Sequence, residues 1–277
     1  MTTKDAVIAA NRFGLGARPG DLPRVGKDPR SWLLDQLQGS SRLPADIRAL
    51  PSSDKVLIEV QEVRREMRQV DDPDADIVKA YGKLVRGHYV EQTAARYRVA
   101  AVSDTPFHER LVHFWSNHFA VSADKQPMPA IAGLFENEAI RPNVSGKFID
   151  LLLAAEQHPA MILYLDNQRS VGPNSQLGKR ANRHQSQQEF GLNENLAREI
   201  LELHTLGVAG GYTQGDVSSF AKIITGWSIG GANDKGRFAD GDPGKFEFRE
   251  NIHEPGDRQL LGKKYRSSGL RSTPHFI

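Results

Sequence analysis

The stretch Ser53-Asp54-Lys55-Val56-Leu57-Ile58-Glu59-Val60-Gln61-Glu62-Val63-Arg64-Arg65-Glu66-Met67-Arg68-Gln69-Val70 sets the fold class. Its apolar positions Val56, Val60, Val63, Met67 and Val70 step by four and three, the seam of an amphipathic helix. Between them Glu59, Glu62, Arg64, Arg65, Glu66 and Arg68 make a solvated, charge-balanced face. Asp71-Asp72-Pro73-Asp74 breaks the run and supplies acids suited to a helix N-terminus. The period resumes at Ile77, Tyr81, Leu84 and His88 and continues to Ala95 and Val99. Two long helices around a short turn predict an antiparallel αα-hairpin.

The same punctuation predicts helices downstream. Thr105-Pro106 reads as a cap with proline at the first helical position. Pro129 opens a segment ending near Arg141-Pro142, Ser145 can cap Phe148 to Ala155, and His158-Pro159 starts a short helix. Asn193 and Thr213 read as caps, with Thr213-Gln214-Gly215-Asp216 matching a capping box. Past Trp227 glycines multiply, and Lys245-Phe246-Glu247-Phe248-Arg249 alternates as a strand does, predicting a small hairpin. The expectation is a mostly α fold: one multi-helix domain over 1–277 with a long antiparallel helical hairpin and a small Gly-rich β-hairpin near the C-terminus. Asn167 to Leu192 lacks periodicity and holds eight Asn or Gln, with four basic residues against one acid. It reads as a long polar loop, either functional or disordered.

Composition excludes several chemistries. The 277 residues contain no cysteine, which removes disulfides, thiol nucleophiles and cysteine-based metal centres. Lys+Arg number 36 against 34 Asp+Glu, a balance that argues against a nucleic-acid partner. No apolar run reaches the roughly 18 residues of a membrane helix, so no membrane insertion is expected. Met1 to Gly20 shows no secretory signal, which by itself reads as cytoplasmic. There is neither a Gly-x-Ser-x-Gly elbow nor a P-loop, and Arg12 to Gly20 reads as a turn.

Two polar stripes are the candidate sites. On the segment from Gly191 to Gly207, Glu194, Asn195, Arg198, Glu199 and Glu202 share one face at 100° per residue, with Leu196, Ile200, Leu203 and Gly207 opposite, beside His204. Either this is an exposed face of i,i+4 ion pairs, or Glu199 and Glu202 form a buried pair held by Arg198. Such a pair could work as acid and base, or hold a divalent cation through oxygen ligands. Glu202 and His204 lie two apart, which excludes the Glu-x-x-His pattern of di-iron bundles. The second stripe, in His113-Phe114-Trp115-Ser116-Asn117-His118-Phe119, places Arg110, His113 and Asn117 on one face. Its histidines are five apart, unlike a zinc-protease helix.

Together Arg12-Phe13-Gly14-Leu15-Gly16-Ala17, His113 to Phe119, His158-Pro159-Ala160-Met161, Tyr164-Leu165-Asp166-Asn167, Gly191 to Asn195, Arg198 to Gly207, Gly210-Gly211-Tyr212-Thr213 and Thr225-Gly226-Trp227 resemble the bacterial family catalogued as domain of unknown function 1800. The resemblance spans roughly Ala9 to Gly262. It implies a mostly helical protein, a partner of the secreted sulfatase-like type, and envelope association for members that carry export signals. Members usually continue beyond the equivalent of Gly262, so the resemblance marks this chain as C-terminally truncated from Ser267 on.

Two functions follow. The first is a hydrolase with Glu199, Glu202, His118 and Arg198 as catalytic groups, and Asn117, Asn193, Asn195, His113 and Arg141 binding substrate. The second is a helical interaction module in which the same residues form a structural ionic network.

Overall fold

The structure is a computed structural model describing residues 4–38, 43–69, 75–183, 191–231 and 240–266. It is mostly α-helical, as the apolar period predicts. The chain divides into two compact units, one formed by residues 1–52 and 59–151, the other by 53–58 and 152–277.

The first unit contains α1 (Lys4–Ile8), α2 (Asp21–Val25), α3 (Pro29–Gln38), α4 (Ala45–Arg48), most of α5 (Ser53–Arg68), α6 (Ala75–Val102), α7 (Pro106–His118) and α8 (Ala132–Phe135). α5 and α6 are the two helices of the expected hairpin, with His88 of α6 and Glu59 of α5 paired at 2.9 Å; the Asp71–Asp74 turn lies outside the described residues. The seam of α6 is buried at Val85, Gln92, Ala95 and Val99. Gln92 is polar because it clamps backbone: Nε2 donates to Ala130 O at 2.6 Å, and Oε1 accepts from Gly133 N at 3.0 Å. Gly133 is required there, since a Cβ would sit 2.8 Å from the Gln92 side chain. Pro106 opens α7 as expected, but its first free amide, Phe107 N, is capped by Gln36 Oε1 at 2.8 Å and not by Thr105. The segment opened near Pro129 is compound: 3₁₀ over Met128–Ala130, then α8, a π turn over Glu136–Ile140, and 3₁₀ again over Arg141–Asn143.

The second unit holds the end of α9 (Phe148–Glu156), α10 (Pro159–Tyr164), α11 (Gln176–Arg183), α12 (Asn195–Glu199) and α13 (Gln214–Ile224) around buried Leu152, Met161, Ile162, Leu196 and Phe220. The capping box of α13 is complete, with Thr213 and Asp216 bonding each other's backbone amides. His158 caps α10, its Nδ1 accepting from Ala160 N at 3.1 Å. The polar segment from Asn167 is not an unbroken loop: it forms a 3₁₀ turn over Asn167–Arg169 and the helix α11, whose Leu177 packs on Val171 and Ile252. Residues 184–190 of it lie outside the described residues.

Two small hairpins close the described chain. β1 (Trp227–Ile229) pairs antiparallel with β2 (Phe246–Phe248), so the expected strand exists and its partner is the stretch after α13. β3 (Arg258–Leu260) and β4 (Lys263–Tyr265) are joined by Leu261 and Gly262, both at positive φ as a type I′ turn demands. No helix among the described residues is long and apolar enough to cross a membrane.

Candidate functional site

The densest buried polar cluster lies in the first unit, on α6, α7 and the π turn that follows α8. Arg141 is 3 % exposed, and its Nη1 donates to Glu109 Oε1 at 2.6 Å. Its Nε reaches Asn137 Oδ1 at 3.4 Å, and Nη2 lies 3.8 Å from Glu136 Oε1. Arg96 completes the set from α6, with Nε donating to Glu136 Oε2 at 2.8 Å. Within the cluster two carboxylates match two guanidiniums, so burial is tolerated because every charge has a counter-charge. Burial alone would raise the Glu109 carboxyl, but His108 and Arg141 together hold it below its ordinary value.

His113 is half-buried beside this cluster. Desolvation is the main cause that pushes its imidazole below the usual 6.5, with Arg96 and Arg141 adding to it and Glu136 and Glu109 opposing it. The ring is therefore neutral at pH 7 and able to accept a proton. Glu109, His113 and Ser116 stand at i, i+4 and i+7, within roughly 60° of arc on α7. Each presents a buried atom with no hydrogen-bond partner: Glu109 Oε2, His113 Nε2 and Ser116 Oγ. Arg141 Nη2, also buried, makes no hydrogen bond either. Buried polar atoms are normally satisfied, so four exceptions in one cluster mark a place where water or ligand groups complete the bonding.

The stripe between Glu194 and Glu202 is of another kind. Arg198 donates to Glu202 Oε1 at 3.1 Å, to Glu194 Oε2 at 3.4 Å and to Gln214 Oε1 at 2.8 Å. Gln214 Nε2 returns to Glu194 Oε2 at 2.7 Å, and the Ser218 hydroxyl donates to Glu194 Oε1. That Ser218 bond is the first cause of the lowered Glu194 carboxyl. The side chains of Arg198, Glu194 and Glu202 are 40, 29 and 27 % exposed. The buried Glu199–Glu202 pair does not form: Arg198 engages Glu194 and Glu202, and Glu199 stands half-buried outside that network among the described residues. Among the described residues no three His, Cys, Asp or Glu side chains gather as a metal site would require.

The other expected residues have structural surroundings. Asn193 Nδ2 donates to Leu165 O at 2.9 Å, and its Oδ1 accepts from Asn195 N at 2.9 Å, the capping role read from its position. Asn195 and Asn117 are exposed. His118 packs edge-on against Trp115 and Phe119, with centroids 5.3 and 4.7 Å away. Arg110 donates to Gly14 O at 2.9 Å, so the stripe with His113 and Asn117 does not act as a unit. Of the residues read from sequence, His113 and Arg141 come together; Arg96, Glu109, Glu136, Asn137 and Ser116 join them unforeseen. The spacing of Glu109 to His113, i to i+4, was the available signal.

Two further buried groups escaped the sequence. Glu156, at the end of the apolar run of α9, pairs with His204 at 2.7 Å, with side chains 0 and 4 % exposed. His253 donates from Nδ1 to Thr225 O at 2.7 Å, and Asn167 Nδ2 donates to Trp227 O at 3.0 Å. Asp166-Asn167 and Thr225-Gly226-Trp227 thus meet around one tight turn, with Gly226 at φ +95°.

Residues 8–277 match the family described as "Protein of unknown function (DUF1800)". No curated protein and no solved structure matches the chain. With the match covering nearly its whole length, the chain belongs to the DUF1800 family.

Proposed function

We propose that the protein is a hydrolase whose general base is His113, set in the Glu109–Glu136–Arg96–Arg141 cluster. The observation that carries this reading is the group of unsatisfied buried atoms, Glu109 Oε2, His113 Nε2, Ser116 Oγ and Arg141 Nη2. A desolvated, neutral imidazole can take a proton from a hydroxyl or a water, and the carboxylates beside it stabilise the imidazolium that forms. A guanidinium with an uncommitted N–H can then meet negative charge developing on the substrate. The π turn over Glu136–Ile140 fits the same reading, since such turns recur at functional sites. Glu199, Glu202, Arg198 and His118 are given no chemical step. Their half-exposed pairs and ring contacts account for them without one.

A second reading has its own observation. Glu109 and Arg141 are 1 and 3 % exposed and charge-matched, as a purely structural network would be. A panel of chromogenic carboxylic, phosphate, sulfate and glycosidic esters separates the two. The hydrolase reading expects turnover of at least one class, reduced by about 10²-fold or more in a folded His113→Ala protein. Full turnover by that variant removes His113 as the base. No turnover of any class, together with lost stability for each cluster variant, supports the structural network.

A further inference from the structure

We infer that Ser116 is the nucleophile of this site and that its substrates are carboxylic esters, hydrolysed through a covalent acyl-enzyme. The inference rests on the reading of His113 as the base. A carboxylate, an imidazole and a hydroxyl follow one another along the same face of α7 at Glu109, His113 and Ser116. Those residue types in that order are what a serine nucleophile needs: a hydroxyl, a base to take its proton, and a group to support the charged base. Each of the three keeps one buried atom without a hydrogen-bond partner. The contacts between them are open in this state, as such contacts often are before substrate arrives.

The ester class follows from charge. Arg96 and Arg141 are each paired to Glu136 or Glu109, so the cluster has no surplus positive charge to attract a phosphate or sulfate ester. A neutral acyl group needs none until its carbonyl becomes an oxyanion. The amides of α7 are taken up within the helix, so the donor for that oxygen is Arg141 Nη2, buried and without a hydrogen bond.

In the first step Ser116 Oγ bonds to the carbonyl carbon, its proton passes to His113 Nε2, and the carbonyl electron pair moves onto oxygen. Collapse breaks the ester C–O bond, and the leaving alkoxide takes the proton from His113. Water then attacks the acyl-enzyme, gives a proton to His113, and releases the carboxylic acid as Ser116 regains its hydrogen. Glu109 is a positioning residue, acting through His113.

An alkyl fluorophosphonate tests this without a known substrate: Oγ displaces fluoride at phosphorus and stays bonded. The full chain is incubated with the probe and read by intact mass and peptide mapping. One adduct on Ser116 is expected, absent in Ser116→Ala and slowed about 10²-fold in His113→Ala. Glu109→Gln removes a charge that raises the His113 pKa, so it should move the onset of labelling to lower pH, a shift that mere loss of stability would not give. No adduct, or an adduct elsewhere that persists in Ser116→Ala, overturns the inference. If Ser116→Ala keeps an ester turnover that His113→Ala loses, water is the nucleophile and only this inference fails. If His113→Ala keeps it, the base assignment fails as well.

Discussion

Arg141→Met puts the charge balance of the cluster to the test. Methionine keeps much of the arginine stem and removes the guanidinium that lies 2.6 Å from Glu109 Oε1 and 3.8 Å from Glu136 Oε1. Glu136 retains Arg96 at 2.8 Å, so the loss falls on Glu109, which is 1 % exposed. Breaking a buried pair from one side costs about 3–5 kcal/mol, because the remaining charge keeps its desolvation penalty. That penalty acts only on the ionised carboxylate, which fixes the pH dependence. In the wild type the folded-state pKa of Glu109 is depressed, so its contribution is present above the ordinary carboxyl range and lost as pH falls through the lower native value. In Arg141→Met burial raises the same pKa, so folding tolerates the protonated acid and is penalised as pH rises through the new value. The deficit of the variant is therefore largest near neutrality and shrinks towards pH 4. Urea unfolding followed by far-UV circular dichroism at pH 7.5 and 4.5 measures it, with an unchanged slope as the control. Adding Glu109→Leu should recover most of the loss, since both charges are then gone. A deficit below about 1 kcal/mol at pH 7.5, or one equal at both pH values, would refute the reasoning.

Three other outcomes follow from the geometry. Arg198→Ala should shift stability by no more than about 1 kcal/mol, and less in high salt, because its partners are solvent-screened; a larger, salt-insensitive loss in urea unfolding would show that the network is effectively buried. His113 and His253 are both held below 6.5 mainly by burial, so the unfolded chain binds more protons and stability falls as pH drops below about 6.5; His113→Gln and His253→Gln should each flatten the slope of unfolding free energy against pH, and an unchanged slope contradicts the assignment. Asn167→Ala leaves Trp227 O without its side-chain donor in a fully buried position, a loss of about 1–3 kcal/mol by thermal or urea unfolding; Asn167→Asp, which lacks the N–H, should be at least as damaging.

Helical class and punctuation were legible because they depend on local rules. Apolar spacing located α5 and α6, proline marked the start of α7 and α10, and the capping box at Thr213 formed as read. What failed was the assignment of faces, and the reason is specific. At 100° per residue, Leu196, Ile200, Leu203 and Gly207 should form the apolar side, yet Leu203 is 56 % exposed and His204 is buried beside Leu201. The observed inward positions, 196, 200 and 204, recur every four residues because Ile200–Thr205 is a π turn. Each π turn adds a residue and rotates everything after it, so a wheel drawn at the α period misplaces its later half. The same happens at Glu136–Ile140, and there it brings Glu136 and Asn137 inward to meet Arg141. The charged partners of His113 come from segments about 17 to 28 residues away in the chain, and no local period carries that information. π turns occur over Ala9–Phe13, Glu136–Ile140 and Ile200–Thr205, and two of these three fall within the motifs that carried the family resemblance. A segment that departs from the α period keeps its register only where surrounding packing enforces it. Those segments are therefore where sequence patterning is least able to show which side chain faces inward. They are also where polar groups can be brought into the interior, which makes the cluster around Arg141 a better place to look for chemistry than the regular stripe at Arg198.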